Sequence, residues 1–196
     1  MAKILTSKNG TRKEVIIQKA AMLFKTKSYT AASMRELAEA LGVEAPSLYN
    51  HIGSKSELLQ AICFKAGQSF IKQVNEIESK PISITRKIEA TIRFHIQMML
   101  ENFDEVYVAN HEWRHLKEPY LADFLNIRRS YEKSLVTLVE HGIEQNEIKA
   151  INPYVAVLTI LSAVRGLEFW QRNKKNVSPQ VLEDDMVNHL LNGIVK

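Results

Sequence analysis

The segment Ser33–Lys55, with the sequence SMRELAEALGVEAPSLYNHIGSK, contains the start and stop signals of two short helices joined by a tight turn. Ser33 and Glu36 form a capping box, in which each side chain accepts a hydrogen bond from the other residue's backbone N–H. The first helix has an apolar stripe made of Leu37, Ala38 and Leu41. Gly42 then predicts its end, because a residue without a Cβ adopts the left-handed conformation beyond a helix C-terminus at little cost.

The second helix of this segment is expected to begin near Glu44 or Ala45. Pro46 is compatible with its first turn, where the backbone N–H has no helical partner. Leu48 and Ile52 are four residues apart and point back to a core. The side chains expected to face outward are Ala45, Ser47, Tyr49 and Asn50. This arrangement predicts a helix-turn-helix that fits the major groove of DNA. An αα-hairpin with no DNA contact is the alternative.

The charge distribution favours DNA binding. Residues 1–60 hold nine Lys and Arg against five Asp and Glu, whereas residues 61–196 hold seventeen of each. The whole net charge of +4 therefore lies in the part of the chain that carries the motif. Cations placed there displace counterions from phosphates, which is the sequence-independent part of DNA affinity. A solvated basic face is the alternative interpretation.

The segment from about Arg12 to Leu59 closely resembles the N-terminal domain of the tetracycline-repressor (TetR) family. The resemblance lies in the runs AAMLF at Ala20–Phe24, LAEALGV at Leu37–Val43 and LYNHIGSKSELL at Leu48–Leu59. The chain departs from the family pattern at Ser28, where Gly is common, and at Ile52, where Phe is frequent. Both positions are interpreted as structural, so neither affects the expectation of DNA binding.

The resemblance implies a three-helix head at residues 1–53 and a helical body for ligand binding and dimerisation at residues 54–196. The predicted function is a ligand-responsive transcriptional regulator. We expect a repressor that binds a palindromic operator in double-stranded DNA as a homodimer, and that a small hydrophobic effector releases. The prediction includes no catalytic residue and no cofactor.

Ten residues are predicted to contact DNA by resemblance to family positions: Thr30, Ser33, Arg35, Ala45, Pro46, Ser47, Tyr49, Asn50, His51 and Lys55. Arg35 matches a position that can reach a base, and an Arg can bond to guanine with two hydrogen bonds. Lys55 is expected to contact phosphate, with help from the dipole of the helix that it opens. The alternatives are a surface charge for Arg35 and a purely capping role for Ser33.

The composition, 45 % hydrophobic and 24 % charged residues, is that of a globular protein. The chain has no uncharged apolar run of membrane-spanning length and no secretory h-region near Met1, so we expect a cytoplasmic protein without a membrane partner. Its one cysteine, Cys63, excludes an internal disulfide and is expected in the core.

Capping signals and apolar periodicity predict an all-α chain. Boxes at Thr11 with Glu14 and Ser54 with Glu57 start two helices, the second ending near Glu78. Further helices are predicted from Ile84 to Phe103, one or two within 104–117, and over 120–146, 153–172 and 179–195. The last two are introduced by the cap-then-proline pairs Asn152-Pro153 and Ser178-Pro179.

These last two helices are predicted to form the dimer interface as a four-helix bundle. The apolar stripe of the first is Val155, Leu158, Leu161 and Val164, and that of the second is Val181, Leu182, Met186, Leu190 and Ile194. The alternative is that both stripes only complete the core of one protomer.

An effector cavity is predicted between the middle helices, with the candidate ligand-binding residues His95, Met99, Trp113, Arg128 and Phe169. Most of the Met and aromatic residues there are expected to be core, and the polar candidates have structural pairing as their alternative. The segment 108–132 also resembles a TetR branch whose members often respond to acyl-CoA thioesters, which suggests an acyl-CoA effector.

The sequence His111-Glu112-Trp113-Arg114-His115 matches HExxH, in which two His ligands one helical turn apart hold zinc and the Glu acts as base. A zinc-dependent hydrolase or a metal-sensing helical protein is therefore the alternative function. The extended metzincin pattern fails, because Glu118 and Leu121 stand where it needs Gly and His. We accordingly predict neither an enzyme nor a metal site.

Overall fold

The computed structural model describes residues 12–173 and 177–196, so the predicted capping box at Thr11 lies outside the described residues. The helices are α1 (Arg12–Lys27), α2 (Met34–Ala40), α3 (Ala45–Tyr49), α4 (Lys55–Glu78), α5 (Ile84–Glu101), α6 (Phe103–His111), α7 (Tyr120–Glu144), α8 (Pro153–Arg165), α9 (Leu167–Asn173) and α10 (Pro179–Asn192). A 3-10 turn, Trp113–His115, lies between α6 and α7. The described part of the chain contains no strand, only an isolated bridge between Ile148 and Val195. The predicted all-α fold is confirmed.

The chain divides into two compact units. The first contains the residues up to Gln68 together with Asp104–Asn126, and the second contains Ser69–Phe103 and Ile127–Lys196. The first unit is therefore assembled from two separate stretches of chain. The boundary at residues 53 and 54 was drawn from family resemblance and stays a prediction.

The first unit has a continuous apolar core in which α1, α2 and α3 each bury one face. Ile16, Ala20 and Phe24 lie one helical turn apart on α1 and are almost completely buried. Leu48 of α3 and Ile52 after it are also buried, as their spacing predicted. The second stretch of chain adds Val108, Ala109, Leu116 and Phe124 to this core.

Two backbone turns in the first unit use the left-handed region. Gly42 has a φ of +66°, which confirms its predicted role after α2. Ser28, at the end of α1, has a φ of 72°. This conformation gives the physical reason why glycine suits position 28, since a Cβ there is strained.

The second unit is built around α5, against which α8, α9 and α10 all pack. Arg93 of α5 bonds to Glu183 at 2.9 Å and to Asp184 at 3.0 Å, which connects α5 to α10. The N-terminus of α5 is capped from a distance, because the Glu147 carboxylate accepts hydrogen bonds from the backbone N–H groups of Ile84 and Thr85.

The predicted cap-then-proline starts are confirmed: Asn152 accepts from the N–H of Val155, and Ser178 accepts from the N–H of Val181. The single helix expected over 153–172 was wrong, because the chain forms α8 and α9 with a break at Gly166. The backbone N–H of Gly166 bonds to the carbonyls of Ser162 and Val164 as a helix C-cap. A new helix then starts at Leu167.

Candidate DNA-binding surface and effector region

The turn before α2 is fixed by the capping box that the sequence predicted. The hydroxyl of Ser33 accepts a hydrogen bond from the N–H of Glu36 at 3.2 Å, and the Glu36 carboxylate accepts from the N–H of Ser33 at 2.9 Å. Hydrogen bonds from Lys27 and Ser33 lower the pKa of Glu36 to about 2. Glu36 is therefore ionised at neutral pH, and α2 starts at a defined residue.

Helix α3 carries four of the ten residues that the sequence assigned to DNA, and the others lie on the segments around it. Leu48 is fully buried and anchors the helix, whereas Tyr49 on the next position is 49 % exposed. Seven further candidates are exposed: Thr30, Ser33, Arg35, Pro46, Ser47, Asn50 and His51. Ala45 is half-buried. Accessible side chains on a rigidly anchored helix are the arrangement that reading DNA requires.

Lys55 differs from the other DNA candidates, because its ammonium group bonds within the protein. It donates to the backbone carbonyls of Tyr29 at 2.8 Å, Thr30 at 3.3 Å and Ala32 at 2.8 Å. The same group lies 4.5 Å from the centre of the Tyr29 ring. Lys55 thus fastens the connection between α1 and α2 to the first turn of α4. No local pattern around Lys55 predicts this structural role.

The residues after α6 contact the same connection. The His115 ring stacks on Tyr29 with ring centres 5.3 Å apart, and its Nε2 lies 3.4 Å from a carboxylate oxygen of Glu112. Lys65 of α4 pairs with the buried Glu105 of α6 at 2.7 Å. These contacts hold the stretch Asp104–Asn126 in the first unit.

The HExxH residues do not have the geometry of a zinc helix. Helix α6 ends at His111, and His115 belongs to the separate 3-10 turn. Their rings contact different partners, since His111 lies against Tyr107 with ring centres 4.3 Å apart and His115 lies against Tyr29. Among residues 12–173 and 177–196, no three His, Cys, Asp or Glu side chains are grouped to hold a metal ion. The geometry gives the hydrolase alternative no support.

The second unit contains a buried polar pair inside an aromatic cluster. His95 Nε2 and the Tyr131 hydroxyl are 2.6 Å apart, and the Phe70 ring stacks on His95 with ring centres 4.6 Å apart. Burial lowers the pKa of His95 to about 4 and raises that of Tyr131. His95 is therefore neutral at pH 7 and shares a hydrogen bond with the hydroxyl.

The five predicted effector residues are only partly brought together. His95 and Met99 lie one turn apart on α5, and both are buried. Arg128 is half-buried on α7, one turn before the partner of His95. Trp113 belongs to the first unit instead, and Phe169 is 70 % exposed at the surface of the protomer.

Sequence reasoning missed two buried polar groups in the second unit. Both amide atoms of Gln73 and the indole Nε1 of Trp170 are buried without a hydrogen-bond partner in the described structure. The signal for Gln73 was its position inside an apolar stripe, one turn after Phe70 and directly before the fully buried Val74. Trp170 carries no comparable local signal.

An all-α chain with an exposed, capped helix-turn-helix and a separate helical unit has the architecture of a DNA-binding transcriptional regulator. Residues 16–62 match the family model described as "Bacterial regulatory proteins, tetR family", and residues 81–194 match "Tetracyclin repressor-like, C-terminal domain". The chain belongs to the TetR family of transcriptional regulators.

Similar proteins include a transcriptional repressor and a transcriptional activator. The HTH-type transcriptional repressor KstR2 of Rhodococcus jostii (strain RHA1) is 20 % identical over 191 residues, which cover 96 % of this chain and 93 % of that protein. The HTH-type transcriptional activator FasR of Mycolicibacterium smegmatis is 21 % identical over 186 residues, covering 93 % and 83 %.

Solved structures share the fold. KstR2 of Mycobacterium tuberculosis superposes with a TM-score of 0.88 at 17 % identity, covering 99 % of this chain and 100 % of that one. AibR, in complex with isovaleryl coenzyme A and operator DNA, superposes with a TM-score of 0.80 at 24 % identity, covering 92 % and 98 %. In the described ranges, no helix of this chain has the length and apolarity needed to cross a membrane.

Proposed function

We propose that this chain is a homodimeric, cytoplasmic repressor that binds a palindromic operator and is released by a small effector with an apolar chain. The observation that carries the DNA part is the exposed face of α3 and its C-cap, where Ser47, Tyr49 and Asn50 are accessible while Leu48 is completely buried. The KstR2 relatives are repressors by name, which supports the sign of regulation.

A homodimer is favoured by exposed apolar side chains on the two helices predicted for the interface. Tyr154, Val155 and Leu158 of α8 are 50–53 % exposed, and Val181 of α10 is 50 % exposed. Val164 of the predicted stripe is instead buried in the protomer. Apolar surface of this kind is stabilised by pairing with a second copy. Two heads related by a dyad then read two half-sites about one helical turn apart.

An acyl-CoA effector is supported by one structural neighbour. AibR, which shares the fold, is found in complex with isovaleryl coenzyme A. The second unit of this chain offers a largely apolar interior with a few polar groups, among them His95 and Tyr131. A ligand with an apolar chain and a polar group suits such an interior.

The operator contact is tested with DNA selected from random duplexes by the wild-type protein. Tyr49→Ala should weaken binding to the selected duplex by about tenfold or more, because each lost specific contact costs roughly 1–3 kcal/mol. Tyr120→Ala is the matched control, since Tyr120 is 42 % exposed in the same unit but off α3. Equal affinity of Tyr49→Ala and wild type would remove α3 from the binding surface.

The dimer is tested by light scattering after size separation. Leu158→Glu places a charge in the proposed interface and should convert the dimer to a monomer at micromolar concentration. Met22→Glu is the control, because Met22 is also an exposed apolar residue, at 42 %, but lies on α1. A monomeric wild type, or a dimeric Leu158→Glu variant, would contradict the interface.

A further inference from the structure

The amide of Gln73 is a buried polar group without a partner. Gln73 is only 8 % exposed, and neither its Nε2 nor its Oε1 makes a hydrogen bond in the described structure. Its neighbours on the buried face of α4 are apolar, with Val74 fully buried and Ile77 4 % exposed. Buried polar groups in native proteins nearly always have partners, so an exception calls for a specific reason.

Two contacts fix the level of Gln73 between α4 and α5. Phe70 of α4 stacks on His95 of α5, and Lys87 of α5 donates to the carbonyl of Glu78 at 2.8 Å. From the first contact to the second, the residue number rises by eight on α4, from 70 to 78, and falls by eight on α5, from 95 to 87. The two helices are therefore antiparallel, and the three-residue step from Phe70 to Gln73 leads to the level of position 92 on α5.

A small apolar cavity lies at this level. It has a volume of about 20 Å³ and is lined from α5, α7 and α8 by Ile88, Thr91, Ile92, Leu135, Leu138, Val139, Val157 and Ile160. None of these eight side chains is charged. The volume is enough for about one water molecule and is far smaller than a typical ligand site. A ligand there has to separate the helices, and such a change of helix spacing is the response that an effector must cause.

We propose that Gln73 is the polar anchor of the effector site and that the cavity at the level of position 92, which is lined by α5, α7 and α8, opens towards α4 to receive the effector's apolar chain. The ligand group at Gln73 is neutral and offers both a hydrogen-bond acceptor and a donor, as an amide does. A single such group satisfies the Nε2 and the Oε1 of Gln73 together. This inference rests on the proposed function as an effector-released repressor.

A carboxylate suits this position poorly. It accepts a hydrogen bond from Nε2 but gives none to Oε1, and its charge would be desolvated beside a cavity with no charged lining. An acyl pantetheine, the reactive arm of an acyl-CoA, has an apolar chain and secondary amides. The proposed chemistry therefore agrees with an acyl-CoA effector while making the amide, rather than the charge, the recognised group.

The experiment uses three probes with the same chain: octanamide, sodium octanoate at pH 8 and methyl octanoate, which lacks a donor. Thermal unfolding of the full-length protein is measured with each. Octanamide should raise the wild-type melting temperature more than the other two at equal concentration. No shift with octanamide at millimolar concentration, or a larger shift with octanoate, would overturn the proposal.

Gln73→Met provides the second measurement, because Met has a similar shape without the polar atoms. Without ligand it should melt about 2–4 °C higher than wild type, since it removes a buried group that has no partner. Its affinity for octanamide should fall at least about tenfold. Gln97→Met on the exposed face of α5 is the control and should change neither quantity. A lower melting temperature for Gln73→Met, or unchanged octanamide affinity, would refute the anchor.

Operator binding separates this inference from the proposed function. Wild-type protein that binds its selected duplex but fails either of the two tests above refutes the Gln73 anchor alone. Wild-type protein that binds no duplex refutes the repressor function itself. If both hold, octanamide should weaken the wild-type complex with DNA and leave the Gln73→Met complex unchanged.

Discussion

Lys55 offers a sharp test, because the structure and the family resemblance give its ammonium group different roles. The resemblance predicts that it contacts a DNA phosphate, whereas the structure shows it bonded to the carbonyls of Tyr29, Thr30 and Ala32. Lys55→Met keeps an unbranched side chain and removes the charge with all three donors. The two roles predict different results for stability and for the salt dependence of DNA binding.

The expected loss of stability follows from the contacts. The bonds to Tyr29 and Ala32 are 2.8 Å long and partly buried, while the bond to Thr30 is longer and exposed. Hydrogen bonds to charged groups contribute roughly 1.5–3 kcal/mol each when well formed, and solvent competition here reduces that. The ring contact with Tyr29 adds about 0.5–1 kcal/mol. We expect a net loss of about 2–3 kcal/mol, or roughly 5–10 °C in melting temperature for a chain of this size.

Melting of the free protein and fluorescence anisotropy with operator DNA at several KCl concentrations distinguish the roles. A fastening role predicts a lower melting temperature and weaker binding with an unchanged salt slope. A phosphate contact predicts an unchanged melting temperature and a slope reduced by about 0.9 for each Lys55 removed. Lys117→Met, at an exposed lysine of the same unit, should alter neither measurement. The second pattern in Lys55→Met would refute the fastening role.

Three further changes have directions set by the structure. Gly42→Ala should lower the free energy of unfolding by about 1 kcal/mol in a denaturant titration, and Gly42→Asn should lower it less. The φ of Gly42 is +66° and an added Cβ meets nothing within 4 Å, so only backbone strain acts. Equal stability of Gly42→Ala and wild type would contradict that strain. The free energy of unfolding of the wild type should fall by up to about 3 kcal/mol as pH falls from 6.5 to 4, because the unfolded chain protonates His95 while burial holds its folded pKa at about 4. His95→Gln should lose this dependence of stability on pH. Parallel plots of unfolding free energy against pH for the two proteins would exclude His95 as its source. Glu147→Gln should destabilise the protein by about 1 kcal/mol at pH 7. The backbone hydrogen bond from Thr85 lowers the pKa of Glu147, so this difference in stability should vanish as pH falls below 4.5, the ordinary pKa of a Glu side chain. A difference in stability that persists at pH 2 would argue against this cap.

Helix ends in this chain could be predicted well from sequence because their determinants are local. The capping box of Ser33 with Glu36 and the caps at Asn152 and Ser178 each involve residues three positions apart. Gly42 needed only its own backbone freedom. In each case the partner that satisfies the helix end lies within one turn, so the sequence contains the whole interaction.

Features that depend on distant partners could not be predicted in this way. Lys55 reaches carbonyls 23–26 residues earlier in the chain, and Glu147 caps a helix that starts 63 residues before it. The division of the helix expected over 153–172 was also missed. Gly166 ends α8, and its backbone N–H bonds to the carbonyls of Ser162 and Val164.

The HExxH match shows why a short motif needs its structural context. The motif holds zinc only if both His side chains project from one continuous helix. Here the helix stops at His111, and the following 3-10 turn directs His115 to Tyr29. The five residues are those of a zinc site, but the backbone between them is not.

The DNA-binding residues could be nominated from the sequence more readily than the effector site, for a related reason. Side chains proposed to contact DNA, such as Tyr49, are exposed, so the helix that exposes them is enough to nominate them from the sequence. An effector site is defined by what the protein interior fails to satisfy, and that is known only when all helices are in place. In the sequence Gln73 is one polar residue in an apolar stripe, and only the structure shows that both of its amide atoms lack partners. For this reason the amide of Gln73, more than the resemblance to an acyl-CoA-responsive branch, is the residue-level test of how the effector is recognised.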